Sequence, residues 1–177
     1  MSGVAALSEE NRAMGEQAAW DAIAGPDRPL ATSRFASCVE RGGVEGARFR
    51  RVLLRDEGRT ALAAEISSLD VRLDLLSPTP FRGAVRHARR VWPRFLRLPV
   101  LFAGLPASFA QPGVRFALDL SREVHQRLAH GLVDEMEAQA EAWDCPLLCL
   151  KEFTTEEADA LPCPLKARGL LRLPSLP

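Results

Sequence analysis

"LLCLKEFTTEEADAL", residues 147–161, is the stretch on which the fold turns. Its opening "LLCL" is an unbroken apolar run bounded by turn signals, the pattern of a short strand covered on both faces. Lys151-Glu152-Phe153 breaks that run, and Thr154 with Glu157 forms a T-x-x-E capping box that opens a helix. Pro162 and Pro164 finish this helix, and "LLRL" (170–173) reads as a closing strand. A charged pair is thus delivered at the carboxyl end of a strand and just before a helix N-terminus, where open α/β sheets tend to place ligands. A strand leaving the core would show the same residues, with Lys151 and Glu152 solvated and Phe153 packed under the helix. Both readings stay open at this point.

Upstream lies the clearest helix of the chain. Val124, Leu128, Leu132, Met136, Ala140 and Trp143 repeat at steps of four with one three-step correction, so a helix runs from Ser121 to near Trp143, ended by Asp144 and Pro146. Before it, "LPVLF" (98–102) and "VRFALDL" (114–120) read as short buried strands. From Pro80 a helical period places Phe81, Val85, Ala88, Val91 or Trp92, and Phe95 on one side, with Arg82, Arg86, Arg89 and Arg90 on the other. In "DVRLDL" (70–75), Val71, Leu73 and Leu75 alternate with Arg72 and Asp74, which predicts a half-buried strand. Two longer apolar segments, "FRRVLLRD" (49–56) and "RTALAAEISSL" (59–69), meet at Asp56-Glu57-Gly58, a hairpin signal. Two helices come first. One starts from Ser8 with Glu9 and Glu10 in its first turn and runs to about Ile23, ended by Gly25-Pro26. The other is capped by Thr32 or Ser33 and stopped by Gly42-Gly43. The fold class is therefore α/β (α+β), a mixed sheet in which an antiparallel hairpin and parallel strands are flanked by helices.

Composition excludes several classes. A chain of 177 residues that is 47% hydrophobic and 26% charged suits one globular domain rather than disorder. Its 23 basic and 23 acidic residues cancel, so no overall field draws it to nucleic acid or an anionic membrane. The Arg82, Arg86, Arg89, Arg90, Arg94 and Arg97 cluster lacks interleaved exposed aromatics, which disfavours nucleic acid and leaves a solvated face or a docking surface. The N-terminus has no basic n-region ahead of Glu9-Glu10, so a cytoplasmic location is expected. The uncharged run Leu98–Val114 is broken by three prolines and two glycines, so no membrane partner is expected. Cys38, Cys145, Cys149 and Cys163 contain no C-x-x-C pair and read as buried thiols; no metal site is supported. His87, His125 and His130 have no spacing relation to a nucleophile and read as surface residues.

The order of elements, together with "WPRFLRLPVLFAGLPASF" (92–109), "LLCLKEF" (147–153) and "LKARGLLRLPSLP" (165–177), resembles a bacterial family of GNAT and FemAB-like acyltransferases of the peptidoglycan biosynthesis or recognition type. In that family a strand ends in Lys-(Asp/Glu)-Phe and a Gly-hydrophobic-Arg … Ser-hydrophobic-Pro strand closes the unit. These are Lys151-Glu152-Phe153 and Gly169-Leu170, Arg172 and Ser175-Leu176-Pro177 here. The resemblance covers roughly residues 20–177 and implies an N-terminal helix and linker over 1–30, then a GNAT-like unit over 31–177 that lacks its final strand or strands. It also implies an N-acyltransferase using acetyl-CoA or another acyl donor. Such proteins pair two units, so the expected partner is a second GNAT-like unit, fused or in trans, or self-association.

The phosphate cradle of active units, an Arg/Gln-x-x-Gly-x-Gly/Ala run between strand and helix, is missing. Only Ser121-Arg122-Glu123 separates "VRFALDL" from the long helix, with no glycine for the turn and a carboxylate where phosphates would sit. The glycine-rich "ERGGVEGARF" (40–49) lies after a helix and before a strand, the wrong context. No cofactor is therefore expected on this chain alone, and its role is read as the acceptor-side half of a cleft. The candidate acceptor-binding residues are Lys151, Glu152, Arg82, Gly104 and Ser108; no catalytic residue is assigned. A catalytically silent binding or scaffold module is the alternative, and an Arg-rich nucleic-acid module the third.

Overall fold

The computed structural model describes residues 9–24, 29–76, 79–106, 113–154, 158 and 168–173. These form a mixed α/β fold with helices α1 (Glu9–Ala24), α2 (Ser33–Gly42), α3 (Thr79–Val91) and α4 (Arg122–Ala142) around one sheet. Its strands are β1 (Arg48–Asp56), β2 (Arg59–Arg72), β3 (Arg97–Ala103), β4 (Val114–Phe116) and β5 (Leu147–Leu150). They lie in the order β1-β2-β3-β5, with β4 paired to β2. β1, β3 and β4 run antiparallel to β2, and β5 runs parallel to β3 after crossing through α4.

The hairpin forms where Glu57 and Gly58, both at positive φ, turn the chain between two apolar segments. One sheet face presents Val52, Leu62, Ala64, Ile66, Leu101, Ala103 and Val114 to Leu128, Leu132, Met136 and Ala140 of α4. This is the main core, and the four-residue period of α4 supplies one side of it. The opposite face packs Ala63 and Leu53 against Trp20 and Ile23 of α1. Thr32 caps α2 by accepting from the Phe35 N–H, and Gly43 ends that helix in the left-handed region. Asp21 of α1 accepts from both the backbone N–H and the hydroxyl of Ser33, which ties the two N-terminal helices together.

Several expectations from sequence are corrected. "DVRLDL" is not a separate strand: Asp70-Val71-Arg72 extend β2, and Leu73–Leu76 form a 3-10 turn. Asp74 points inward and is buried, held by Arg72 and Arg89. The strand expected over 114–120 ends at Phe116, with Leu118 exposed and Asp119 at positive φ in the turn that follows. β5 is not fully buried. Its neighbour lies on one side only among the described residues, and Leu147 is 47% exposed. Residues 170–173 form no strand, and Leu171 and Leu173 are exposed. In the α3 segment, Val85 is buried whereas Phe81, Val91 and Trp92 are exposed. Cys38 is exposed, and only Cys145 is a buried thiol among the described cysteines. His125 is half-buried, its ring edge-on to Phe116 at 3.8 Å, so it is not a surface residue. Ser8, Ser108, Cys163 and most of the helix expected after Thr154 lie outside the described residues.

Candidate functional site

β3 and β4 pair with the same edge of β2, one beyond the other. β3 covers Ile66–Arg72 and β4 covers Leu62–Ala64, which leaves Glu65 between them. Glu65 joins both ends of the interruption: its N–H donates to the Gly113 carbonyl at 3.1 Å, and its carbonyl accepts from the Gly104 N–H at 2.7 Å. A single strand in effect leaves the sheet after Gly104 and returns at Gly113. Only glycines permit the crossing. A Cβ on Gly113 would stand 2.1 Å from the Gly104 Cα, and Gly104 itself has φ 133°.

β5 follows β3 in parallel up to the pair Ala103–Leu150, the level at which β3 departs. The strands fork there, and Lys151-Glu152 sits at the fork. The Lys151 Cε lies 3.3 Å from a Cβ position on Gly104, and its Nζ is 5.8 Å from the centre of the Phe102 ring. Lys151 and Glu152 form an ion pair at 3.4 Å, with side chains only 18% and 14% exposed. They are thus not a solvated strand exit. Glu152 holds φ 66°, a strained conformation for a residue with a side chain, and this sharp turn ends β5. Phe153 packs against the main core.

The structure therefore brings Lys151, Glu152 and Gly104 together. It does not place α3, the helix that carries Arg82, beside them. α3 packs on the 3-10 turn at the opposite end of β3, where Arg89 bonds Asp74 at 2.6 Å and the Phe95 and Leu96 carbonyls at 2.9 and 3.3 Å.

The fork continues into a polar row that the sequence reading missed. On the α1/α2 face, Glu65 is 2% exposed, and the Ser67 hydroxyl donates to the Gly104 carbonyl. Opposite Glu65 on β1 stands Arg51, whose Nε is 3.7 Å from Glu65 Oε2. The same guanidinium bonds Glu40 at 3.1 Å and the Ser37 hydroxyl at 2.7 Å, and lies over the Trp20 ring. Neither Glu65 oxygen accepts a hydrogen bond, while the neighbouring Glu40 carboxylate can take one from the protonated Glu65 carboxyl. Burial, reinforced by the nearby Glu40 charge and only partly offset by Arg51, pushes the Glu65 carboxyl up to about 8. The signal was present in "RTALAAEISSL": one charged residue inside an otherwise apolar strand.

A cavity of about 330 Å³ lies apart from the fork, along the outer edge of β1. It is bounded by Glu16, Gln17 and Trp20 of α1, by residues 50–54 of β1, and by Glu135 of α4, which pairs with Arg50 at 3.1 Å. Among the described residues no group of three or more His, Cys, Asp or Glu could hold a metal ion. Among them too, no helix is long and apolar enough to cross a membrane. No family model, curated protein or solved structure matches the chain.

Proposed function

We infer that the chain is the acceptor-side unit of a GNAT- or FemAB-like acyltransferase, with the acyl donor held by a second unit, fused or in trans. The observation that carries this reading is the fork, where a half-buried Lys-Glu pair meets a glycine-lined strand break at the carboxyl end of a parallel strand pair. Strain at Glu152 and close packing at Gly104 fix this geometry before any ligand arrives. Glu65 stays beneath the surface and acts as a positioning residue, since its backbone holds both ends of the break.

The N-terminus of α4 supports a donor held elsewhere. Ser121 caps α4 by accepting from the Val124 N–H, and Glu123 lies in the first turn, so this helix end disfavours a pyrophosphate. The expected result is no saturable acetyl-CoA binding by the chain alone in calorimetry. Amine-bearing peptides titrated into isotope-labelled protein should shift the amides of Gly104, Gly113, Lys151 and Glu152. A stoichiometric acetyl-CoA complex, or peptide shifts that avoid the fork, would overturn the assignment. The second reading, a silent binding module, is favoured by the β1 cavity and predicts that the peptide shifts fall on residues 50–54 instead.

A further inference from the structure

Residues 79–97 carry six arginines, 82, 86, 89, 90, 94 and 97, and no acidic residue, within a chain whose total charge is balanced. α3 supplies most of this segment, and its apolar residues Phe81, Ala84, Val85, Ala88 and Val91 fall on one stripe that Trp92 continues. A helix of this pattern normally turns its stripe to the core. Here only Val85 is buried, while Phe81 is 61%, Val91 89% and Trp92 63% exposed. The line from Phe81 to Trp92 runs about 16 Å along the helix. Trp92 extends it, since its N–H still donates to the Ala88 carbonyl, and its ring meets Phe95 at 5.6 Å.

A polar clamp secures the helix instead. Arg89 is turned inward onto Asp74 and onto the carbonyls of Phe95 and Leu96, so the C-terminal turn of α3 is fastened to the body without the stripe. Arg86 and Arg90 are exposed and project opposite the Phe81–Trp92 line. Arg94 and Arg97 make only exposed, long ion pairs with Asp144 and Asp70, at 3.6 and 3.9 Å, which contribute little.

We propose that α3 is a membrane-surface helix that lays its Phe81–Val91–Trp92 stripe into the interface of a bilayer containing anionic lipid. The proposal is independent of the fork and departs from the expectation of no membrane partner. Charge complementarity names the occupant: Arg86, Arg90, Arg94 and Arg97 are exposed on a segment with no acidic residue of its own, which matches anionic headgroups, and the apolar stripe supplies the buried area that reversible surface binding requires. The separation of the two faces decides between lipid and nucleic acid. Base stacking needs aromatics set among the arginines on one face. In α3 the aliphatic Val91 shares the aromatic stripe, and Arg86 and Arg90 stand on the far side, so each face suits a different medium, acyl chain or headgroup water. Trp92 at the stripe's end suits the headgroup level, where indole rings concentrate.

The test is co-sedimentation of the full chain with large unilamellar vesicles of phosphatidylcholine, alone or with phosphatidylglycerol. The protein should bind the anionic vesicles, release in high salt, and ignore the neutral ones. Tryptophan emission should shift to the blue on binding, and Trp92→Ala should remove that shift, because Trp20 is already buried and Trp143 packs against the main core. Val91→Asp, at a site 89% exposed, should weaken binding by at least about tenfold while the melting temperature stays nearly constant. Arg86→Glu with Arg90→Glu should abolish it. No association with anionic vesicles, binding indifferent to Val91→Asp, or preferential binding of a single-stranded oligonucleotide with the vesicles left unbound would each overturn the proposal.

Discussion

Replacing Glu65 by Gln should stabilise this protein above neutrality and erase most of the pH dependence of its stability between about pH 5 and 8. The folded carboxyl titrates near 8 against a reference of 4.5, with burial as the main cause, so folding favours the protonated form. A group raised in this way contributes stability in full below its unfolded value, and the contribution is lost as pH rises toward the folded value. Over that window the wild-type protein loses about 1.4 kcal/mol per pH unit from this residue, or about 3 kcal/mol by pH 7. Gln has nearly the same shape and never ionises. The variant should match wild type near pH 4.5 and exceed it at pH 8 by about 4 kcal/mol, equivalent to about 8–16 °C in Tm for a chain of this size.

Thermal unfolding followed by circular dichroism at half-unit steps from pH 4.5 to 8.5 measures the difference. An infrared band from a protonated buried carboxyl at pH 7, present in wild type and absent in the variant, identifies the group. Equal slopes in the two proteins would refute the reasoning, because the pH dependence would then arise elsewhere. A variant less stable than wild type at pH 8 would refute it too, by showing that the carboxylate is charged and that its pairing with Arg51 outweighs desolvation.

The opposite sign is expected at Asp74, where two guanidiniums hold the carboxyl well below the usual carboxylate range. Its contribution is present above about pH 4 and is lost as pH falls further, and Asp74→Asn should remove that acid limb and loosen α3, measured by faster amide exchange over residues 85–91. Gly113→Ala, whose new methyl group meets the Gly104 backbone, should destabilise by at least about 2 kcal/mol, whereas Gly83→Ala in open space on α3 should stabilise by about 0.5–1 kcal/mol in denaturant titrations. Phe153→Ala should cost about 2 kcal/mol or more, because its ring packs on the core, while Glu152→Gly should gain about 1 kcal/mol by releasing a positive φ; a loss in the second case would mean that the Lys151 ion pair outweighs the strain.

What was legible in the sequence follows from the range of the interactions that set each element. The β1–β2 hairpin and α4 were readable because their turn residues, caps and periods are local, as with Ser121 before the four-residue repeat or Gly58 between two apolar runs. The strand break was not, because "LPVLF" and "VRFALDL" look like two ordinary strands until Glu65 is seen to bond Gly104 on one side and Gly113 on the other, across 39 and 48 residues of chain. Asp74 misled for the same reason. Alternation placed it outside, and two arginines, one of them fifteen residues away, drew it in.

Lys151-Glu152 shows how a nonlocal contact also decides between two readings of a site. The charged pair was compatible with solvent and with a cleft, and the departure of β3 at Gly104 leaves room beside β5 for the Lys151 stem to lie against backbone. The two glycines are nine residues apart and neither looks unusual in its own neighbourhood, one following a strand and the other preceding one. Their meaning lies in the approach between them, which no side chain would allow, and this approach both positions the candidate site and leaves Gly113 no space for a side chain.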